Sequence, residues 1–133
     1  MADPIITNVD LGNVIHSDAL FRDELLTFGG AATVLEGTIL ARDSVSLKLV
    51  PFAIGGVTNE NGIPKAVVTH DVTATGAGDI AIRAMQSGNV RAARLVVDAD
   101  GDASNITAKE LDQLRDYKII ALDTQELNGL DNQ

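Results

Sequence analysis

The residues best suited to chemistry begin with Asp98-Ala-Asp-Gly-Asp102, which spaces three carboxylates at alternate positions as a calcium loop does at its start. Such a loop needs oxygen ligands at positions 1, 3 and 5, glycine at 6, an apolar residue at 8 and a bidentate glutamate at 12. Counted from Asp98, those last three places hold Ala103, Asn105 and Lys109, and Glu110 arrives one residue late. Arg94 to Val97 reads as a strand, so no helix precedes the loop. The run therefore reads as a solvated acidic turn before a helix, where Asp and Asn favour turns and negative charge suits the helix N-terminus. Only weak, adventitious cation binding is left to it.

A second run, Thr75-Gly-Ala-Gly-Asp79, has the make-up of the phosphate cradle of ribokinase-type sugar kinases. Those glycines must open a helix so that its amides and dipole meet the anion. Here Ile80-Ala-Ile-Arg-Ala-Met follows with the alternation of a strand, so a tight glycine turn is the reading. His70 stands beside Asp71, but neighbours in a strand point to opposite faces and form no dyad. His16 lies alone near the N-terminus. With no cysteine, disulfides, thiol nucleophiles and zinc–thiolate sites are excluded. No catalytic, metal or cofactor constellation emerges, and the chain reads as a non-enzyme.

The elements that carry these residues are mostly strands. The 133 residues suit one domain, with 45% hydrophobic and 22% charged residues. A net charge of −9 argues against general nucleic-acid binding, which draws most of its affinity from phosphate neutralisation. No apolar run approaches the roughly 18 residues of a membrane span, and MADPIITNVD lacks the character of a secretory signal. Phe21–Phe28, Thr33–Ala41, Ser44–Val50, Lys65–Thr75, Ile80–Met85, Val90–Val97 and Lys118–Leu122 read as strands. Gly37 in the second suggests a bulge or bend. Turns are expected at Gly55–Ile63, Thr75–Asp79 and Ser87–Asn89. One helix is expected at about residues 107 to 117, with Thr107 and Glu110 at capping-box spacing and Leu111 and Leu114 on one face. The expected core is Val34, Leu35, Ile39, Leu40, Leu47, Leu49, Val67, Ile80, Ile82, Leu95, Val97, Leu111, Leu114, Ile120 and Leu122.

Residues 1 to about 20 differ from the rest, because Ile5, Ile6, Val9, Leu11, Val14 and Ile15 are scattered among Asp, Asn, Gly and Pro with no period. A frayed terminus is the default reading for a chain end, but so many β-branched residues are unusual in a solvated tail and suit an arm added as a strand to a partner. The division is thus an arm over 1–20 and one β-rich domain over 21–133.

The order of the elements resembles the lambda-type head decoration proteins of tailed bacteriophages. Leu25-Leu-Thr-Phe-Gly-Gly, Leu35-Glu-Gly-Thr-Ile-Leu-Ala, Lys48-Leu-Val-Pro-Phe, Gly62-Ile-Pro-Lys-Ala-Val-Val-Thr, Thr75-Gly-Ala-Gly-Asp-Ile-Ala-Ile-Arg, Ser87-Gly-Asn-Val-Arg and Leu114-Arg-Asp-Tyr-Lys-Ile-Ile-Ala carry the likeness in sequence. It implies a mainly β, bent-ribbon fold with one short helix, a homotrimer, and no cofactor. It implies a structural, cementing protein on the capsid exterior at local three-fold positions of the expanded head, made in the host cytoplasm before assembly. The partner implied is the major capsid protein, with neither nucleic acid nor membrane, and the arm is its capsid-binding segment. The alternative open at this point is another β-rich oligomeric binding or adaptor module without catalytic activity.

Overall fold

Two long strands set the frame. The computed structural model describes residues 14–122. In it β1 (Ile15–Phe28) and β7 (Gly78–Arg91) run antiparallel from Ile15 opposite Val90 to Phe28 opposite Gly78. Between them in sequence lie β2 (Ala32–Val34), β3 (Ile39–Arg42), β4 (Leu49–Pro51), β5 (Pro64–Val68) and β6 (Val72–Ala74). A 3-10 turn at Ala92–Arg94, helix α1 (Ala108–Asp116) and β8 (Ile119–Leu122) complete the described chain. The fold is mainly β with one short helix, as the spacing of turn signals predicts.

The pairings close on themselves. β1 meets β4, β4 meets β3, β3 meets β5, β5 meets β7, and β7 returns to β1. β8 adds in parallel to the far half of β7, and β2 pairs with β6 as a separate two-stranded sheet. Because side chains alternate along a strand, the ring strands feed two cores. Leu26, Leu40, Leu49, Ala66, Val68 and Ala84 take one buried residue or more from every ring strand. Ile39, Ala41, Val67 and Met85, one residue along from several of these, bury the other face with Phe52, Leu95, Leu114 and Ile119. Each fully buried side chain of this size stabilises the fold by about 1.5–3 kcal/mol.

The ladder between β1 and β7 is irregular near its open end. Its register shifts between Ile15 and Ser17, between Ser17 and Leu20, and between Leu20 and Phe21. Gly88 sits opposite this bulge with φ +129, and a Cβ there would lie 2.7 Å from the Asp18 carbonyl oxygen and 2.8 Å from the Ala19 Cα. The run Ser87-Gly88-Asn89 is therefore a close backbone crossing inside β7, and the turn expected there is absent.

Other expectations need correction. Thr33–Ala41 is two strands, parted by a turn at Gly37, where φ is +90 and the Arg94 carbonyl leaves no room for a Cβ. Lys65–Thr75 is likewise divided, at His70 and Asp71, into β5 and β6. Val90–Val97 leaves the sheet at Arg91 and enters the 3-10 turn. Ser44–Val50 is mostly a turn, because the Asp43 carboxylate accepts from the amides of Val45 (2.8 Å) and Ser46 (2.9 Å). Its alternation is therefore not one buried face: Leu49 is buried in β4, but Leu47 is 64% exposed, and Leu35 and Ile120 are exposed as well.

Candidate functional site

Each motif that could have carried chemistry has another task. In the 98–102 turn the amides of Asp100 and Gly101 both donate to the Val97 carbonyl at 2.9 Å, and Val97 donates to Asp102 at 3.0 Å. The Ser104 hydroxyl and amide hold the Asp102 carboxyl below its usual range. Glu110 turns away: it accepts from the Thr107 hydroxyl at 2.6 Å and the Thr107 amide at 2.7 Å, and is buried. Among the described residues no three His, Asp or Glu side chains converge as a metal site.

Gly78 and Asp79 open β7 and not a helix, so no row of helix amides faces an anion. Asp79 accepts from Lys48 at 2.6 Å and from Thr27 at 2.9 Å, and these bonds lower its pKa. His70 Nδ1 lies 3.1 Å from the Thr69 hydroxyl, while Asp71 accepts from the Glu36 amide at 2.7 Å. His16 Nδ1 lies 2.9 Å from the Ser17 hydroxyl.

The N-terminal segment divides at Val14. Ile5, Ile6, Val9 and Leu11 lie outside the described residues. Val14 and Ile15, taken above as capsid-facing residues of the arm, are 0% and 4% exposed and belong to the protein's own core. Strand begins at Ile15, so the boundary at about residue 20 falls inside β1. The cause is long-range pairing that no local period reveals. The Val14 amide donates to Glu36 at 3.1 Å, the Arg91 amide donates to the Val14 carbonyl at 2.8 Å, and the Arg91 guanidinium donates to the Ile15 carbonyl at 2.8 Å. The chain therefore enters the domain at a fixed point, beside a groove of about 320 Å³ whose lining includes Glu36, Asp71, Arg94 and Asp102.

A second polar arrangement fastens the Asp43–Lys48 hairpin to β1. The Arg42 guanidinium grips Glu24 with two bonds, 2.8 and 3.2 Å, and also donates to the Leu47 carbonyl at 2.9 Å. This bidentate contact holds the Glu24 carboxyl below its usual range and raises Arg42 in turn. Lys48 makes the parallel tie to Asp79. Residues 18 and 31 apart in sequence meet here, and only the signs of their charges could have hinted at it.

No curated protein matches the chain. A family model described as bacteriophage lambda head decoration protein D matches residues 7–119, which take in β1 through β7, α1 and the first residue of β8. With that match over the same ordered elements, the chain belongs to the bacteriophage lambda head decoration protein D family.

Proposed function

We propose that this chain binds as a homotrimer at local three-fold positions on the outside of the expanded phage head and cements the shell there. Membership of the family supplies the coarser statement: this is a structural decoration protein of the virion capsid. That match over residues 7–119 is the observation that carries the reading. The partner is the major capsid protein, met after synthesis in the host cytoplasm.

The capsid contact is assigned to the residues before Val14. Ile5, Ile6, Val9 and Leu11 supply the side chains, captured as a strand added to the capsid protein. Ordering such a segment costs about 1–2 kcal/mol per residue in backbone entropy, so one copy binds weakly. Three copies on one trimer raise the effective concentration of the second and third. Val14 and Ile15 stay in the core and fix where the segment leaves.

The test compares purified expanded heads with unexpanded shells. The full chain binds the first and not the second. Removing residues 2–13, which spares β1, weakens binding to expanded heads on the order of 100-fold while subunit mass in sedimentation stays the same. Equal binding by the shortened chain overturns the assignment of the contact.

A further inference from the structure

Among the described residues, one flank of the molecule carries a strand edge left largely uncovered. On the side away from β7, β1 meets β4 only at Leu26 opposite Leu49. Among the described residues no strand covers that edge from His16 to Leu25. An open edge of this length is a standing site for association. Along it the apolar side chains point outward: Leu20 is 66% exposed, and Phe21 and Leu25 are exposed too. Phe21 and Leu25 share a face by period, with Asp23 between them paired to Arg83 at 3.5 Å.

The hairpin lies along the same edge. Glu24 takes the face of β1 opposite Phe21 and Leu25, and Arg42 ties the Leu47 carbonyl to it, so the edge carries apolar side chains on both sides. Val45 is 75% exposed. The following loop is held against the hairpin by a 3.0 Å bond from the Ser44 amide to the Asn59 carbonyl, and it carries Val57 at 92% exposure. Three of the five non-glycine residues with positive φ among the described residues, Leu47, Asn59 and Glu60, lie in these two loops. The left-handed Leu47 closes the turn through the hydrogen bond from its amide to the Asp43 carbonyl at 2.8 Å and leaves its side chain in water.

Charge favours one occupant. Copies of a chain with net charge −9 repel unless they meet where carboxylates are already neutralised. Along most of this flank they are: Asp23 pairs with Arg83, Glu24 with Arg22 and Arg42, and Asp79 with Lys48, while Asp18 and Glu60 lie at its margins. The Asp43 carboxylate is capped by backbone amides. The result is an apolar strip whose central carboxylates are each paired or capped, the make-up of an interface core with a polar rim.

We propose that this flank, the free edge of β1 together with Leu20, Phe21, Leu25, Val45, Leu47 and Val57, is the surface through which copies of the chain associate. The proposal rests on the trimer reading above and names the surface that reading leaves open. The deciding experiment is sedimentation of the full chain and of Leu25→Asp, Leu47→Asp and Ile120→Asp, each a substitution of an exposed residue. Ile120 is an exposed apolar residue on β8 and serves as the control. The wild type and Ile120→Asp sediment as trimers. Leu25→Asp and Leu47→Asp raise the dissociation constant at least 30-fold, as loss of a central apolar anchor does, and keep the circular dichroism of the parent. Were either to lose that spectrum, Leu25→Gln and Leu47→Gln replace it, with the same order of effect expected. Trimers from both flank variants that no longer bind expanded heads would make the flank a capsid contact and overturn the proposal. So would trimers that bind normally, or equal dissociation of Ile120→Asp. A wild type that is monomeric at all concentrations would instead break the trimer reading itself.

Discussion

The loop before α1 and the hairpin between β3 and β4 are each fastened by a carboxylate, but over very different distances. Glu110 reaches back three residues to Thr107, is buried, and closes a capping box. Glu24 is gripped by Arg42 from a strand 18 residues away, with the Arg42 side chain 29% exposed. The first fastening is settled within one turn of helix as soon as it forms. The second exists only after the ring of strands has closed. A local cap fixes an element, whereas a long-range clamp fixes how two elements sit together, and the clamped region is the one left with exposed apolar side chains.

The comparison breaks most clearly at the helix. Leu114 is fully buried beneath α1, so Leu114→Ala lowers unfolding free energy by about 2–5 kcal/mol in urea denaturation. Next come the two fastenings themselves. Arg42→Ala leaves Glu24 largely shielded and without its main partner, and costs about 1–3 kcal/mol. Thr107→Ala removes the cap and costs about 0.5–2 kcal/mol. If Arg42→Ala proves silent, the hairpin is held by packing and the clamp is incidental.

Acid sharpens the same contrast. The hydrogen bond from Arg42 lowers the Glu24 pKa against a smaller opposing effect of burial. For Glu110 burial is the largest influence and raises the pKa, but the hydrogen bonds from Thr107 and from its own backbone amide, with the Lys109 charge nearby, together outweigh it, and the net shift is downward. A folded pKa below the unfolded value of about 4.5 means stability that is present above that pH and lost as pH falls through the folded pKa. The urea midpoint therefore drops between neutral pH and pH 3, and Glu24→Gln and Glu110→Gln each flatten that drop. An unchanged slope in both would show that neither fastening needs its charge. The smallest effect is expected at Leu47, where Leu47→Ala changes subunit stability by no more than about 0.5 kcal/mol, since its side chain faces water.

What could be read in advance follows the same division. The helix was legible because Thr107, Glu110, Leu111 and Leu114 specify cap and face within one short stretch. The late strand Ile119–Leu122 and the turn before β7 were legible for the same reason. Val45 and Leu47 misled because clean alternation speaks of strand geometry, while the Asp43 carboxylate two residues before Val45 captures the backbone as a turn. Val14 and Ile15 misled because their partners are Val90 and Arg91, and the Arg91 bond to Ile15 spans 76 residues. Leu26, Phe52 and Met85 entered the core unannounced, since burial on both faces of the ring strands hides any two-residue period. The arm residues proposed to meet the capsid offered only a surplus of β-branched side chains with no period, and the family resemblance added the capsid as their partner.

The fixed entry at Val14 has a mechanical consequence. A load pulled along β1 from its N-terminal end is delivered straight into the β1–β7 ladder. The strands are antiparallel and share eleven registered residue pairs, so such a load shears those pairs together instead of peeling them one after another. Forced detachment is governed by the rate of the slowest opening step, and loading many bonds at once makes that step rare. If residues 1–13 are the capsid tether proposed above, this ladder takes the load of the shell as a rivet takes the load between plates.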